Sequence, residues 1–146
     1  MPDIRLVKSH QDAQLPVVNN DDLLTGDTGY DVYSVESAYI QPHESRVVNV
    51  GLTVAYIEPG YWLQIMPRSG LGFKKGLQPH LGVIDNQYRG DLAIKLYNFS
   101  DKPATLSKGD RIAQLVAHQL NQAYFTFTDE VQETSRGSQG FGSSGK

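Results

Sequence analysis

Between Arg136 and Gly145 the chain reads Arg-Gly-Ser-Gln-Gly-Phe-Gly-Ser-Ser-Gly, which sets a guanidinium, an aromatic face, unhindered backbone amides and hydroxyls close together. These are the groups that hold a nucleoside polyphosphate. Arg136 offers phosphate oxygens a planar fork of donors, glycines such as Gly142 let backbone N–H groups approach a polyanion, and Ser143 adds a hydroxyl. Phe141 can stack on a base. A Gly/Ser stretch with one aromatic buries too little surface to fold alone, so by itself it reads equally as a flexible arm that orders on a ligand or as a plain disordered tail.

Three other clusters have related chemistry. Pro67-Arg68-Ser69-Gly70-Leu71-Gly72 follows an apolar run, so its amides and the Ser69 hydroxyl emerge at a strand end where phosphate oxygens can be cradled, with Arg68 adding charge, although taken alone the segment reads more readily as an ordinary surface turn. Gly82-Val83-Ile84 runs into Asp85, then a turn, then Tyr88-Arg89-Gly90, which places Asp85 and Tyr88 near the turn of a hairpin. A carboxylate there can take a proton from water, and the Tyr88 ring can lie flat against a sugar. The alternative is that Asp85 only satisfies turn amides and Arg89 pairs with a neighbouring acid. Asp31 and Gln114 can hold waters on a hydrated Mg²⁺, whereas the competing reading of Asp31 and Arg111 is a buried ion pair.

The elements that must position these groups are short β-branched and aromatic runs between turn residues: Ile4–Val7, Asp31–Ser34, Arg46–Val50, Leu52–Tyr56, Tyr61–Met66, Leu92–Tyr97, Arg111–His118 and Tyr124–Phe127. Such spacing predicts an all-β sandwich or barrel. Leu92, Ile94 and Leu96 alternate with Ala93, Lys95 and Tyr97, which gives that strand one core face and one outward face. A helical turn around Ser69–Leu71 is the most helix expected. Val48, Val50 and Val54 are read as outward apolar residues available to a subunit interface. The division predicted is a core over 1–129 and an arm over 130–146 that closes the site.

Bulk properties narrow the class. A chain of 146 residues suits one domain and buries roughly 70 % of its unfolded surface. A net charge of −3 argues against a duplex-binding protein, though a single nucleotide needs only a local basic pocket. There is no cysteine, and His10, His43, His80 and His118 lack zinc-ligand spacing. No apolar run approaches a membrane span and Met1–His10 lacks a signal-peptide core, so a soluble protein of the cytoplasm, or of an infected host's interior, is expected.

Taken in order, Gly29-Tyr30-Asp31, Pro67-Arg68-Ser69-Gly70, Gly82 to Gly90, Gly109-Asp110-Arg111-Ile112-Ala113-Gln114, and Arg136-Gly137 to Ser144 resemble the five motifs of the trimeric deoxyuridine triphosphate nucleotidohydrolase (dUTPase) family. The resemblance implies a jelly-roll-like β subunit, a homotrimer whose sites are shared between subunits, Mg²⁺ as cofactor and dUTP as substrate. It implies that Asp85 orients the water attacking the α-phosphorus to give dUMP and pyrophosphate. By the same resemblance Tyr88 packs on the deoxyribose and excludes a 2′-hydroxyl, while the backbone of Gly82, Val83 and Ile84 reads uracil. Arg68, Ser69 and Gly70 hold the α and β phosphates with Gln114 assisting, Arg136 clamps the γ phosphate, and Phe141, flanked by Gly142 and Ser143, closes over the base. The chain has Gln87 where the family commonly has a second acid, and Pro79 where some relatives place a base-contacting Asn. Two rivals are a deoxycytidine triphosphate deaminase, whose glutamate is replaced here by Lys95, and a non-catalytic nucleotide-sensing or protein-binding module on the same fold.

Overall fold

Branched aliphatic residues at every second position, interrupted by Gly and Pro, produce ten strands and one short helix in the computed structural model, which describes residues 1–143. The strands are β1 (Ile4–Lys8), β2 (Tyr30–Tyr33), β3 (Ala38–Ile40), β4 (Ser45–Ile57), β5 (Tyr61–Met66), β6 (Leu77–Pro79), β7 (Gly82–Ile84), β8 (Asp91–Asn98), β9 (Ala104–Leu106) and β10 (Arg111–Gln119). The helix, α1, spans Ser69–Lys75. Two four-stranded antiparallel sheets, ordered β1-β4-β8-β6 and β2-β10-β5-β7, are accompanied by the β3-β9 pair. The fold is all-β, as the spacing predicted.

One apolar core joins the three sheets. Val48, Val50, Leu92, Ile94 and Leu96 come from the first, Val32, Leu63, Ile84, Ile112 and Leu115 from the second, and Ile40 and Leu106 from the pair. The alternation read in β8 is present, with Leu92, Ile94 and Leu96 inside and Ala93 and Lys95 exposed. Burying such a side chain contributes about 1.5–3 kcal/mol, so the core is what holds the surface loops in place.

Four expectations change. Arg46–Val50 and Leu52–Tyr56 are one strand, because β4 runs on through an irregularity between Asn49 and Leu52 in its pairing with β8. Val48, Val50 and Val54 are core residues and not an outward surface; the exposed member of that run is Val47. The turn at Ser69–Leu71 continues to Lys75 before Gly76 ends it in the left-handed region. Finally, Tyr124–Phe127 forms no strand. Tyr124, Phe125 and Phe127 lie exposed after β10, since a strand needs a ladder partner and this segment meets none among the described residues.

Candidate active site

Two clusters of the expected residues are assembled at opposite ends of β5. At one end β5 leads through Pro67 to Arg68, whose backbone is extended as it enters α1. Arg68 Nε donates to Asp31 Oδ1 at 2.7 Å, and Arg111 Nη1 approaches Asp31 Oδ2 at 3.4 Å. Asp31 is buried while both arginines keep part of their side chains in solvent. The buried ion pair anticipated for Asp31 is therefore present, with Arg68 as its nearer partner. Its effect is to aim the Arg68 guanidinium: Nε is occupied and the two terminal nitrogens remain for an anion.

Around this pair lies a cavity of about 290 Å³ lined by Asn19, Asp27, Thr28, Gly29, Asp31, Arg68, Ser69 and Gln114. Ser69 and Gly70 are exposed at the first turn of α1, which has no side-chain cap, so its leading amides are open to a partner. Gln114 Nε2 donates to the Pro67 carbonyl at 2.8 Å. A Cβ on Gly29 would overlap the Gln114 side-chain amide, so glycine just before β2 leaves room for that amide where it lies. The loop bearing Asp27 and Thr28 is tied by Asp22, whose carboxylate accepts from the Leu24 and Thr25 amides and the Thr25 hydroxyl. Those bonds hold the Asp22 carboxyl below its ordinary pKa. A depressed folded-state value means this tie is complete above the unfolded-state pKa and is lost as pH falls through the folded one.

At the other end, Ile84 of β7 pairs with Leu63 and is buried, and the next residue, Asp85, stands exposed. It borders a cavity of about 660 Å³ with Pro59, Gly60, Trp62, Asn86, Gln87, Tyr88 and Leu120. No hydrogen bond to the Asp85 carboxylate forms among the described residues. The segment is not a hairpin, since β7 pairs with β5 in one sheet while β8 pairs with β4 and β6 in the other. Instead a tight turn, closed by Tyr88 N to Asp85 O at 3.0 Å, carries the chain across. The Tyr88 hydroxyl donates to the Asp91 carbonyl at 2.7 Å, and its ring lies so close over Gly90 that a Cβ there would overlap it. Arg89 binds the Asn86 and Tyr88 carbonyls and, among the described residues, no acid. Val83 is exposed, Gly82 half-buried, Gln87 exposed, and Pro79 buried in β6 opposite Leu96.

The separation of the two clusters follows from the register. Asp85 follows the partner of Leu63, whereas Gln114 pairs with Met66 and Arg68 lies beyond it. From the level of Trp62 to Arg68 is six residues of extended chain, about 20 Å at the rise of a strand.

The arm residues are not brought to either cluster. Arg136 donates through Nε to the Gln139 carbonyl at 2.7 Å, Ser143 N donates to Gly140 O, and Phe141 and Gly142 are exposed. Ser144 and Gly145 lie outside the described residues. Sequence reasoning missed Asn86, whose amide reaches three carbonyls, and the stack of Trp62 on His118 at 4.4 Å, for which neither residue's neighbours carry a signal. It also missed Asn19, Asp27 and Thr28 as cavity lining, although the Asn20-x-Asp22-x-x-Thr25 pattern marks a self-bonded loop.

The family model for dUTPase matches residues 21–145. A deoxyuridine 5′-triphosphate nucleotidohydrolase of Helicobacter pylori is 39% identical over 144 residues, covering 97% of this chain and 96% of its own. That of Actinobacillus succinogenes is 40% identical over 148 residues, covering 99% and 97%. Among solved structures, a mutant dUTPase of Staphylococcus bacteriophage 80alpha with dUpNHpp is similar at a TM-score of 0.82, with 27% identity over 99% of each chain. The chain belongs to the dUTPase family.

Proposed function

We propose that the chain hydrolyses dUTP to dUMP and pyrophosphate, with Asp85 orienting and deprotonating the water that attacks the α-phosphorus. The observation that carries this is the Asp85 carboxylate itself, an acid with no protein partner among the described residues, exposed on the wall of a large cavity next to Tyr88. Arg68, Ser69 and Gly70 hold the α and β phosphates, and Gln114 supports them from β10. Tyr88, pinned over Gly90, supplies the flat surface for the deoxyribose, and the edge strand Gly82–Ile84 presents its backbone to uracil. The arm brings Arg136 to the γ phosphate and Phe141 over the base, with Gly142 and Ser143 at its tip, which excludes bulk water.

In-line displacement at phosphorus requires little covalent chemistry, so placement and charge neutralisation supply most of the rate. The attacking oxygen must be within hydrogen-bond reach of Asp85 and roughly 3–3.5 Å from phosphorus. Arg68 of the same chain lies far outside that range. A complete site therefore takes Asp85 from one copy and the phosphate cradle from another, which supports the homotrimer and makes the core over 1–129 and the arm over 130–146 work on neighbouring copies.

The phosphate cavity suits Mg²⁺ as a hydrated ion. Asp27, Thr28 and Gln114 line it with oxygen atoms, and no group of three His, Cys, Asp or Glu able to cage a metal occurs among the described residues. Asp31, also expected to hold a metal-bound water, spends its carboxylate on Arg68 and Arg111. When bound with the nucleotide, the ion neutralises phosphate charge. The deaminase reading is opposed by Lys95, whose ammonium lies over the Tyr97 ring at 5.5 Å in place of an acid.

Hydrolysis of dUTP in ¹⁸O-water is expected to label dUMP. Label found only in pyrophosphate places attack at the β-phosphorus and rejects the mechanism. Shared sites have their own test: Asp85→Asn and Arg68→Ala proteins, each inactive alone, are unfolded together in equal amounts and refolded. Random closed trimers then hold both intact groups at about a quarter of their sites, and activity should return to about that level. No recovery, or full activity in a species that sediments as a monomer, contradicts sharing.

A further inference from the structure

The residue after Asp85 is Asn86, whose partly buried Nδ2 lies 2.9 Å from the Glu58 carbonyl, 2.9 Å from that of Tyr61 and 3.2 Å from that of Ile57. A carboxamide nitrogen has two hydrogens, so three acceptors share two donors and one N–H is bifurcated. The three carbonyls belong to the end of β4, the turn that follows it and the first residue of β5. That turn is itself closed by Tyr61 N to Glu58 O at 3.2 Å and fastened from outside by Glu58 N to Asp3 O at 2.9 Å and Leu120 N to Gly60 O at 2.7 Å. Ile57 is in the core. Asn86 therefore bolts the loop to a corner that the core and three backbone bonds already hold.

On the other side of Asp85, Ile84 is buried and paired with Leu63. The acid thus sits between two anchors while its own carboxylate forms no bond within the described residues, so the backbone on either side fixes the Cα–Cβ direction from which its rotamers start. The rest of the loop depends on the same anchor, since Arg89 Nη1 donates to the Asn86 carbonyl at 2.7 Å and to that of Tyr88 at 2.8 Å.

We propose that Asn86 is a positioning residue for Asp85, setting the line along which the water approaches phosphorus through its hold on the Ile57–Tyr61 carbonyls. This rests on the reading of Asp85 as the group that orients the water. A displacement of about 1 Å at such a point costs on the order of 10²-fold in rate.

Steady-state hydrolysis of dUTP by the full chain, with the folded fraction followed by circular dichroism, tests it. Asn86→Ala should lower kcat per folded protein by about 10–100-fold and leave KM within about threefold, because the phosphate-holding groups lie in the other cluster and Tyr88 keeps its own bond to the Asp91 carbonyl. Asn86→Ser, which keeps one donor, should fall between the two. In an Asp85→Asn background the further change Asn86→Ala should cost less than about threefold, since the group it positions is already gone. A kcat within about threefold of the parent, or a full additive loss in the Asp85→Asn background, overturns the proposal. Should Asn86→Ala fail to fold, Asn86→Ser is judged by the same two criteria. An Asp85→Asn protein of near parental rate overturns the Asp85 assignment; an inactive Asp85→Asn protein beside an unimpaired Asn86→Ala overturns the Asn86 role alone.

Discussion

Asp85→Asn is expected to lower kcat for dUTP by at least about 10²-fold while nucleotide affinity stays within about threefold, the span associated with losing a general base. The substitution preserves shape and removes only the charge and the basic oxygen. Because the carboxylate is exposed and forms no hydrogen bond among the described residues, no buried partner is stranded, and stability should change by no more than about 0.5 kcal/mol. Catalysis and folding are thereby separated at one residue. The measurement is single-turnover hydrolysis beside equilibrium binding of a nonhydrolysable dUTP analogue. A variant that binds and turns over like its parent shows that another group orients the water.

Asp31→Ala should produce the opposite pattern, losing both stability and activity. Its carboxylate is buried, with 7% side-chain exposure, and answers two guanidiniums, Arg68 at 2.7 Å and Arg111 at 3.4 Å. Removing one member of a fully buried pair costs about 3–5 kcal/mol. Here both arginines retain contact with water and are partly resolvated, so about 2 kcal/mol is expected. That is a fall of roughly 4–8 °C in Tm for a domain of this size, measured at fixed protein concentration. Arg68 also loses the acceptor that aims it, and kcat/KM should fall by about 10–100-fold. An unchanged Tm with an unchanged kcat/KM would mean that the pair neither supports the sheet nor orients the cradle.

The parts legible in the sequence were those that depend on local pattern. The longer strands followed from apolar alternation and turn residues, whereas β3, β6 and β9, at three residues each, are too short to show a period and were not expected; β8 was read with the correct face inward because polar Lys95 breaks the apolar run. β4 was not: Val47 and Val48 are consecutive valines, so hydropathy permits either phase, and only the pairing with β8 shows that Val47 faces out. Tyr124–Phe127 has strong strand propensity, yet propensity cannot supply the neighbour that a ladder requires. The candidate site was legible as residue types at set spacings, and the structure brings Arg68, Ser69 and Gln114 together and exposes Asp85 beside Tyr88. What spacing could not convey is that these are two clusters. The distance between them is set by the registers Ile84 with Leu63 and Gln114 with Met66, which are properties of sheet order. Asn86 was illegible for a related reason: its three partners lie 25 or more positions earlier in the chain.

Trp62 is the only tryptophan in the chain, and it borders the Asp85 cavity with its ring stacked on His118 and its indole N–H on the Gln119 carbonyl at 3.3 Å. Ultraviolet emission from the protein at tryptophan wavelengths therefore originates at a single place, within reach of whatever enters that cavity. The molecule carries its own fluorophore, so a nucleotide, an arm or a neighbouring copy arriving beside Asp85 can be timed from native emission, with no dye attached and no residue changed.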